Sequence, residues 1–279
     1  STLNQPPDRP VLAGDWAGAK VALRNPDCCV VSVPGLEPLL RALQAEWSND
    51  PVDVDLRFRV RSGSLARDDC LRIRSAVSHP AEDEEDDDGV DDACTAALVE
   101  LARGVASLAD GPLEGVCEDV FVRIVCASDY RARDPMFHTD KAPLRGYVTL
   151  HGPGTEFMTR PSTPLEYARL RSLGINYADD LASNMRRAEE LEFIIMKGDH
   201  YKATEITSPA SSWISKIWKR AFACVHRSPP GATTGEMQRR RVIVSLDLAD
   251  GDDEREWYQV NTKREWRSGM TQRKSRLVA

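Results

Sequence analysis

The sequence predicts an α+β protein in which a mixed lead-in of helices and strands precedes an antiparallel β-sandwich or barrel. From residue 120 onward the chain breaks into short apolar runs at 120–126, 147–150, 193–196, 221–225 and 242–248, separated by Gly, Pro and Asp. That texture belongs to many short strands joined by turns. Helical spacing appears instead in the first 110 residues, where Leu39, Leu40, Leu43 and Trp47 share one face, as do Ala97, Leu98, Leu101, Val105 and Leu108. With 41% hydrophobic and 29% charged residues, the 279-residue chain can bury an enzyme-sized core.

The elements follow in order. Short β-like runs at 28–33 and 52–60 flank the first helix at 39–47, whose start suits Pro38 at a first helical position. The second helix spans 93–108, with Asp92 as its N-cap. Within the β-rich half, a helix is expected at 165–173 behind Ser162 or Thr163, and another within 176–190. Residues 197–199, Lys-Gly-Asp, read as a hairpin turn. The expected division is a mixed α+β lead-in at 1–114, a β-rich core at 115–250 and a basic tail at 251–279.

The formal charge of −7 is local in origin. Residues 82–92 hold nine carboxylates and no base, and without them the chain would stand at +2. Such a run is expected to be a self-repelling, disordered loop at about 80–92. The last 25 residues carry seven Lys or Arg against Glu256 and Glu265, a solvated tail. No basic groove interleaved with aromatics is legible in the core, so nucleic acid is not an expected partner. No run approaches the roughly 20 apolar residues of a membrane helix, and no secretory signal is visible. Seven cysteines, an odd number without CxxC or zinc-ribbon spacing, fit a reduced cytoplasmic protein. There is no GxSxG elbow.

The residues that carry chemistry begin at Met136-Phe137-His138-Thr139-Asp140. In an extended segment residues two apart project to one face, so His138 and Asp140 can reach one metal ion. A third ligand is available 86 residues later in His226, at the end of the apolar run 221–225. Two histidines and one carboxylate leave metal positions open, which suits non-haem iron(II) that must bind a cosubstrate and dioxygen. The same donors also suit zinc. Fifteen residues past His226, Arg241 begins a strand-like run, and a guanidinium there can grip a carboxylate through two parallel hydrogen bonds. Its neighbour Arg240 is the alternative, because strand alternation lets only one of them face inward. Arg227, with Ser228, flanks the distal histidine and is a candidate for binding cosubstrate or substrate. Arg145 and Tyr147 share a face with each other; an unbroken strand from Asp140 would turn them away from the metal, but Pro143 allows a break that would make either a candidate for completing the cosubstrate pocket. Thr155 and Glu156 in Gly152-Pro-Gly-Thr-Glu follow a tight turn and are candidates for the site mouth. His79, His151 and His200 are expected to be ordinary surface or hydrogen-bonding residues.

The order of HxD, distal His and following Arg resembles that of the double-stranded β-helix dioxygenases. More closely, the blocks 137–145, 152–157, 195–198 and 226–230, with the Arg241 strand, resemble the bacterial domain-of-unknown-function family 1826. They span residues 137–247, roughly 40% of the chain. The acidic run and basic tail look like additions to that pattern. The resemblance implies a double-stranded β-helix core of jelly-roll, cupin-like form with flanking helices. It implies iron(II) on His138, Asp140 and His226, 2-oxoglutarate on Arg241 and dioxygen as cosubstrate. The expected activity is hydroxylation of a small-molecule or peptide substrate. Asp140 argues against halogenation, since related halogenases put a small residue there to admit chloride. Two other readings stay open: a cupin-type iron oxygenase that needs no 2-oxoglutarate, and a non-catalytic zinc-binding or regulatory protein.

Overall fold

The computed structural model describes residues 11–48, 54–61, 64–66, 69–70, 73, 93–109, 119–127, 136–173, 184–199, 201, 223–229 and 241–248. In chain order these form β1 (Val11–Leu12), α1 (Trp16–Arg24), β2 (Val30–Ser32), α2 (Glu37–Ser48), β3 (Val54–Arg61), β4 (Ser64–Leu65) and α3 (Ala93–Ala106). The β-rich half contributes β5 (Asp119–Ala127), β6 (Leu144–His151), β7 (Glu156–Met158), α4 (Pro164–Leu173), β8 (Met185–Arg187), β9 (Ile194–Lys197), β10 (His226–Arg227) and β11 (Arg241–Leu248).

The protein is a mixed α/β structure, and the described strands form two sheets. Eight strands form the larger in the order β1-β2-β9-β6-β11-β5-β3-β4, and β10-β7-β8 form the smaller. The bridge between His138 and His226 adds a fourth short segment beside β10. From β5 onward the chain passes back and forth between the sheets, with β5, β6, β9 and β11 in the larger and the 138 segment, β7, β8 and β10 in the smaller.

Strand alternation divides the core in two. One face of the large sheet presents Val122, Ile124 and Cys126 of β5 with Val242, Val244 and Leu246 of β11 to helices α1, α2 and α3. The helices answer with Leu23, Leu40, Leu43, Trp47, Leu98, Leu101 and Val105. The other face turns Tyr147, Ile194 and Met196 toward Phe157 of the small sheet, and an apolar cluster forms there. Farther along the same face, Asp55 of β3 accepts both prongs of Arg123 at 2.8 Å and lies 3.3 Å from Arg57. Burial opposes its charge, yet the two guanidiniums hold the Asp55 carboxyl down at about 2.

The helix at 165–173 begins with a reciprocal cap. Glu166 N–H donates to Thr163 Oγ1 at 3.2 Å while Thr163 N–H donates to the Glu166 carboxylate at 2.7 Å. Most of the stretch 176–190, where a further helix is expected, lies outside the described residues; its described part includes Met185–Arg187, which pairs antiparallel with β7. One expectation is corrected. The strand expected at 221–225 lies later, at His226–Arg227; Ala223, Cys224 and Val225 are buried coil. The lead-in strands do not form a separate layer, since β1 and β2 extend the large sheet beyond β9 while β3 and β4 extend it beyond β5. The Asp92 cap, the acidic run and the basic tail lie outside the described residues. Among the described residues no helix is long and apolar enough to cross a membrane.

Candidate metal centre

His138 and His226 lie opposite each other on antiparallel segments, joined by backbone hydrogen bonds of 2.9 Å in both directions. Their rings stand side by side with centroids 4.4 Å apart. Each ring is aimed by its own chain: Nδ1 of His138 lies 3.0 Å from the Met136 carbonyl and Nδ1 of His226 lies 3.1 Å from the Cys224 carbonyl. A carbonyl only accepts, so the hydrogen bonds assign the proton to Nδ1 and leave the Nε2 lone pair for a metal, the usual arrangement of ligating histidines.

Asp140 completes the cluster. Donor atoms of His138, Asp140 and His226 all lie within 4.8 Å of one another, and Asp140 Oδ2 is 3.2 Å from His226 Nε2. That oxygen is buried and accepts no hydrogen bond among the described residues. Two lone-pair atoms so placed repel unless a proton or a cation sits between them. Two donors about 2.1 Å from one ion and roughly 90–100° apart would be separated by ~3.0–3.2 Å, so the pair fits a divalent metal. Burial opposes charge on Asp140, but Arg145, then His226, hold its carboxyl well below the ordinary range, so it stays an anionic donor. For His226 burial disfavours the charged ring, and Asp140 outweighs it, raising the imidazole above its usual value.

The turn that carries Asp140 is braced by the end of β9. Asp199 N–H donates to the Asp140 carbonyl at 2.7 Å and Gly198 N–H to the Pro143 carbonyl at 3.0 Å. Residues 197–199 thus brace the turn that carries Asp140; the turn expected there is present, closed by Tyr201 N–H donating to the Gly198 carbonyl at 3.1 Å, although the sheet partners of β9 are β2 and β6 and not a following strand. A Cβ on Gly198 would overlap the Ala142 carbonyl oxygen and lie 2.7 Å from that of Asp140. Gly198→Ala is therefore expected to cost about 1–3 kcal/mol of stability and to displace Asp140, read by urea denaturation together with metal titration.

The break allowed at Pro143 is present, because β6 starts at Leu144 and turns Arg145 back toward Asp140. Arg145 Nη1 lies 2.6 Å from Asp140 Oδ1, and the same guanidinium pairs with Asp247. Two residues on, the Tyr147 hydroxyl accepts from Nη2 of Arg241 at 2.8 Å, and Thr155 Oγ1 accepts from it at 3.0 Å. Arg241 is 1% exposed and faces Tyr147 between the sheets, whereas Val242 joins the helix-facing core. Arg240 lies outside the described residues.

Arg227 is not brought to this cluster. Alternation along β10 turns it to the opposite face from His226, where its guanidinium lies 4.3 Å from the Phe137 ring centroid and 2.7 Å from Glu156. Glu156 also accepts from Arg187 at 2.7 Å, so it joins this outer row and stays away from the site mouth. His151 is half exposed at the rim with Glu190 4.0 Å away; His79 and His200 lie outside the described residues. Asp247 is the residue that sequence reasoning missed. Its signal was a carboxylate inside the apolar run 241–248, six residues after Arg241 and so on the same face.

The chain is similar in structure to rice dioxygenase for auxin oxidation, at 14% identity and a TM-score of 0.43 over 85% of this chain and 82% of that one. It is likewise similar to dioxygenase for auxin oxidation 1 of Arabidopsis thaliana, a 2-oxoglutarate binary complex, at 12% identity and a TM-score of 0.48 over 87% and 93%. A bsmA homologue of Methylobium petroleophilum matches at 11% identity and a TM-score of 0.41 over 86% and 95%. No curated protein matches the chain in sequence. The family model for DUF1826, a protein of unknown function, matches residues 57–247, and the chain belongs to that family.

Proposed function

We propose that the chain is an iron(II)- and 2-oxoglutarate-dependent dioxygenase that hydroxylates a small-molecule or peptide substrate. We further propose that its two sheets are the walls of a double-stranded β-helix, a reading supported by the way successive strands alternate between them. The observation that carries the function is the convergence of His138, Asp140 and His226, with both Nδ1 atoms tied to carbonyls and a buried Asp140 oxygen that accepts no hydrogen bond among the described residues.

In this reading His138, Asp140 and His226 would hold iron, which supplies the activation of dioxygen coupled to decarboxylation of 2-oxoglutarate. Arg241 binds the distal carboxylate of the cosubstrate. Its charge is fixed in a buried place, and Tyr147 and Thr155 aim its Nη2 edge through hydroxyls that can rotate as the carboxylate arrives. Phe157, Ile194 and Met196 keep water from the space between the sheets, which strengthens the ionic contacts made there. The lead-in at 1–114 supports a catalytic core at 115–250, the basic tail at 251–279 lies outside the chemistry, and the protein works in the cytoplasm. Calorimetric titration with 2-oxoglutarate tests the assignment. Binding that requires prior loading with iron(II) is expected; equal binding to the metal-free protein, or none to the loaded one, would refute it.

A further inference from the structure

Asp140 has two oxygens, and an arginine on the neighbouring strand decides which of them is left for a metal. Arg145 of β6 places Nη1 2.6 Å from Oδ1 of Asp140. Its Nε and Nη2 both donate to the carboxylate of Asp247, at 2.5 and 2.7 Å. Arg145 and Asp247 are direct partners in the β6–β11 ladder, and Asp247 is 6% exposed. The guanidinium is therefore held by a two-pronged pair on a rigid sheet before it touches Asp140. We propose that the Arg145–Asp247 pair is a positioning device for Asp140, engaging Oδ1 and presenting Oδ2 toward His226 as the only carboxylate donor.

This inference rests on the proposed metal centre and deepens it. Carboxylates bind metals through one oxygen or two, and a second bound oxygen would take a position that the cosubstrate or dioxygen needs. Arg145 prevents that by occupying Oδ1. A lone guanidinium so close to a dication would repel it, and Asp247 offsets that charge while fixing the guanidinium's direction. The pair thus orients the ligand without adding net charge to the site.

The test uses cobalt(II) as probe, with affinity from titration and coordination from its visible absorption. Arg145→Met/Asp247→Leu removes the pair at constant net charge and similar volume. It is expected to bind cobalt(II) about 10–100-fold more weakly than the parent and with an altered spectrum, as loss of a partner behind a metal ligand typically does. A folded double variant with the parent's affinity and spectrum would overturn the proposal. Should the double variant not fold, Asp247→Asn decides: it keeps the shape but releases one side of Arg145, and weaker binding with a changed spectrum supports the device, whereas parental behaviour overturns it. His226→Ala separates the two levels. Cobalt binding that survives His226→Ala removes the metal centre itself, while binding lost there but unchanged in the pair variants removes only the role of Arg145 and Asp247.

Discussion

His226→Ala is expected to abolish stoichiometric iron(II) binding, weakening affinity by more than about 100-fold, since even partners behind a metal ligand typically cost 10–100-fold. The residue is one of the three whose donor atoms lie within 4.8 Å of one another, and its ring is oriented by the Cys224 carbonyl so that Nε2 faces Asp140. Its backbone bonds to residue 138 do not depend on the side chain. The variant should therefore fold, and melting temperature measured beside metal content separates a lost ligand from a lost structure. Unchanged iron stoichiometry in folded protein would dissolve the centre.

Arg241→Ala is expected to leave metal binding in place and to weaken 2-oxoglutarate by about 30-fold or more, the scale for truncating one partner of a buried charged pair. Arg241→Lys keeps the charge but not the fork that Tyr147 and Thr155 hold, so it should restore only part of the affinity. Tyr147→Phe removes one acceptor of the Arg241 guanidinium and should have a smaller effect of the same sign. The measurement is 2-oxoglutarate affinity at fixed iron(II). Parental affinity in Arg241→Ala would mean that the cosubstrate's carboxylate is held elsewhere or that no such cosubstrate binds.

Much of the candidate site was legible in the sequence because it rests on short-range geometry. Spacing of two puts His138 and Asp140 on one face wherever the chain is extended, and His226 follows an apolar run that ends in the core. What escaped depends on where each strand begins. Reading a strand over 221–225 made Arg227 a candidate for cosubstrate or substrate beside the distal histidine, whereas β10 at His226–Arg227 sends the two side chains to opposite faces. Asp247, a carboxylate inside an apolar run, acquires a role only when the β6–β11 register sets it against Arg145. The polar segment Met185–Arg187 carries no strand signal of its own, and its pairing with β7 makes it one. Of the lead-in helices, α2 and α3 were visible from their apolar spacing while α1 was not read, and joining β3 to β5 depends on contacts 58 to 72 residues apart that no local pattern encodes.

The most direct test of the central claim is anaerobic titration of iron(II)-loaded protein with 2-oxoglutarate, followed by visible absorption. A weak metal-to-ligand charge-transfer band that grows to saturation, and that is absent in Asp140→Ala, is the predicted result. Loaded protein that shows no band at saturating 2-oxoglutarate would contradict the account.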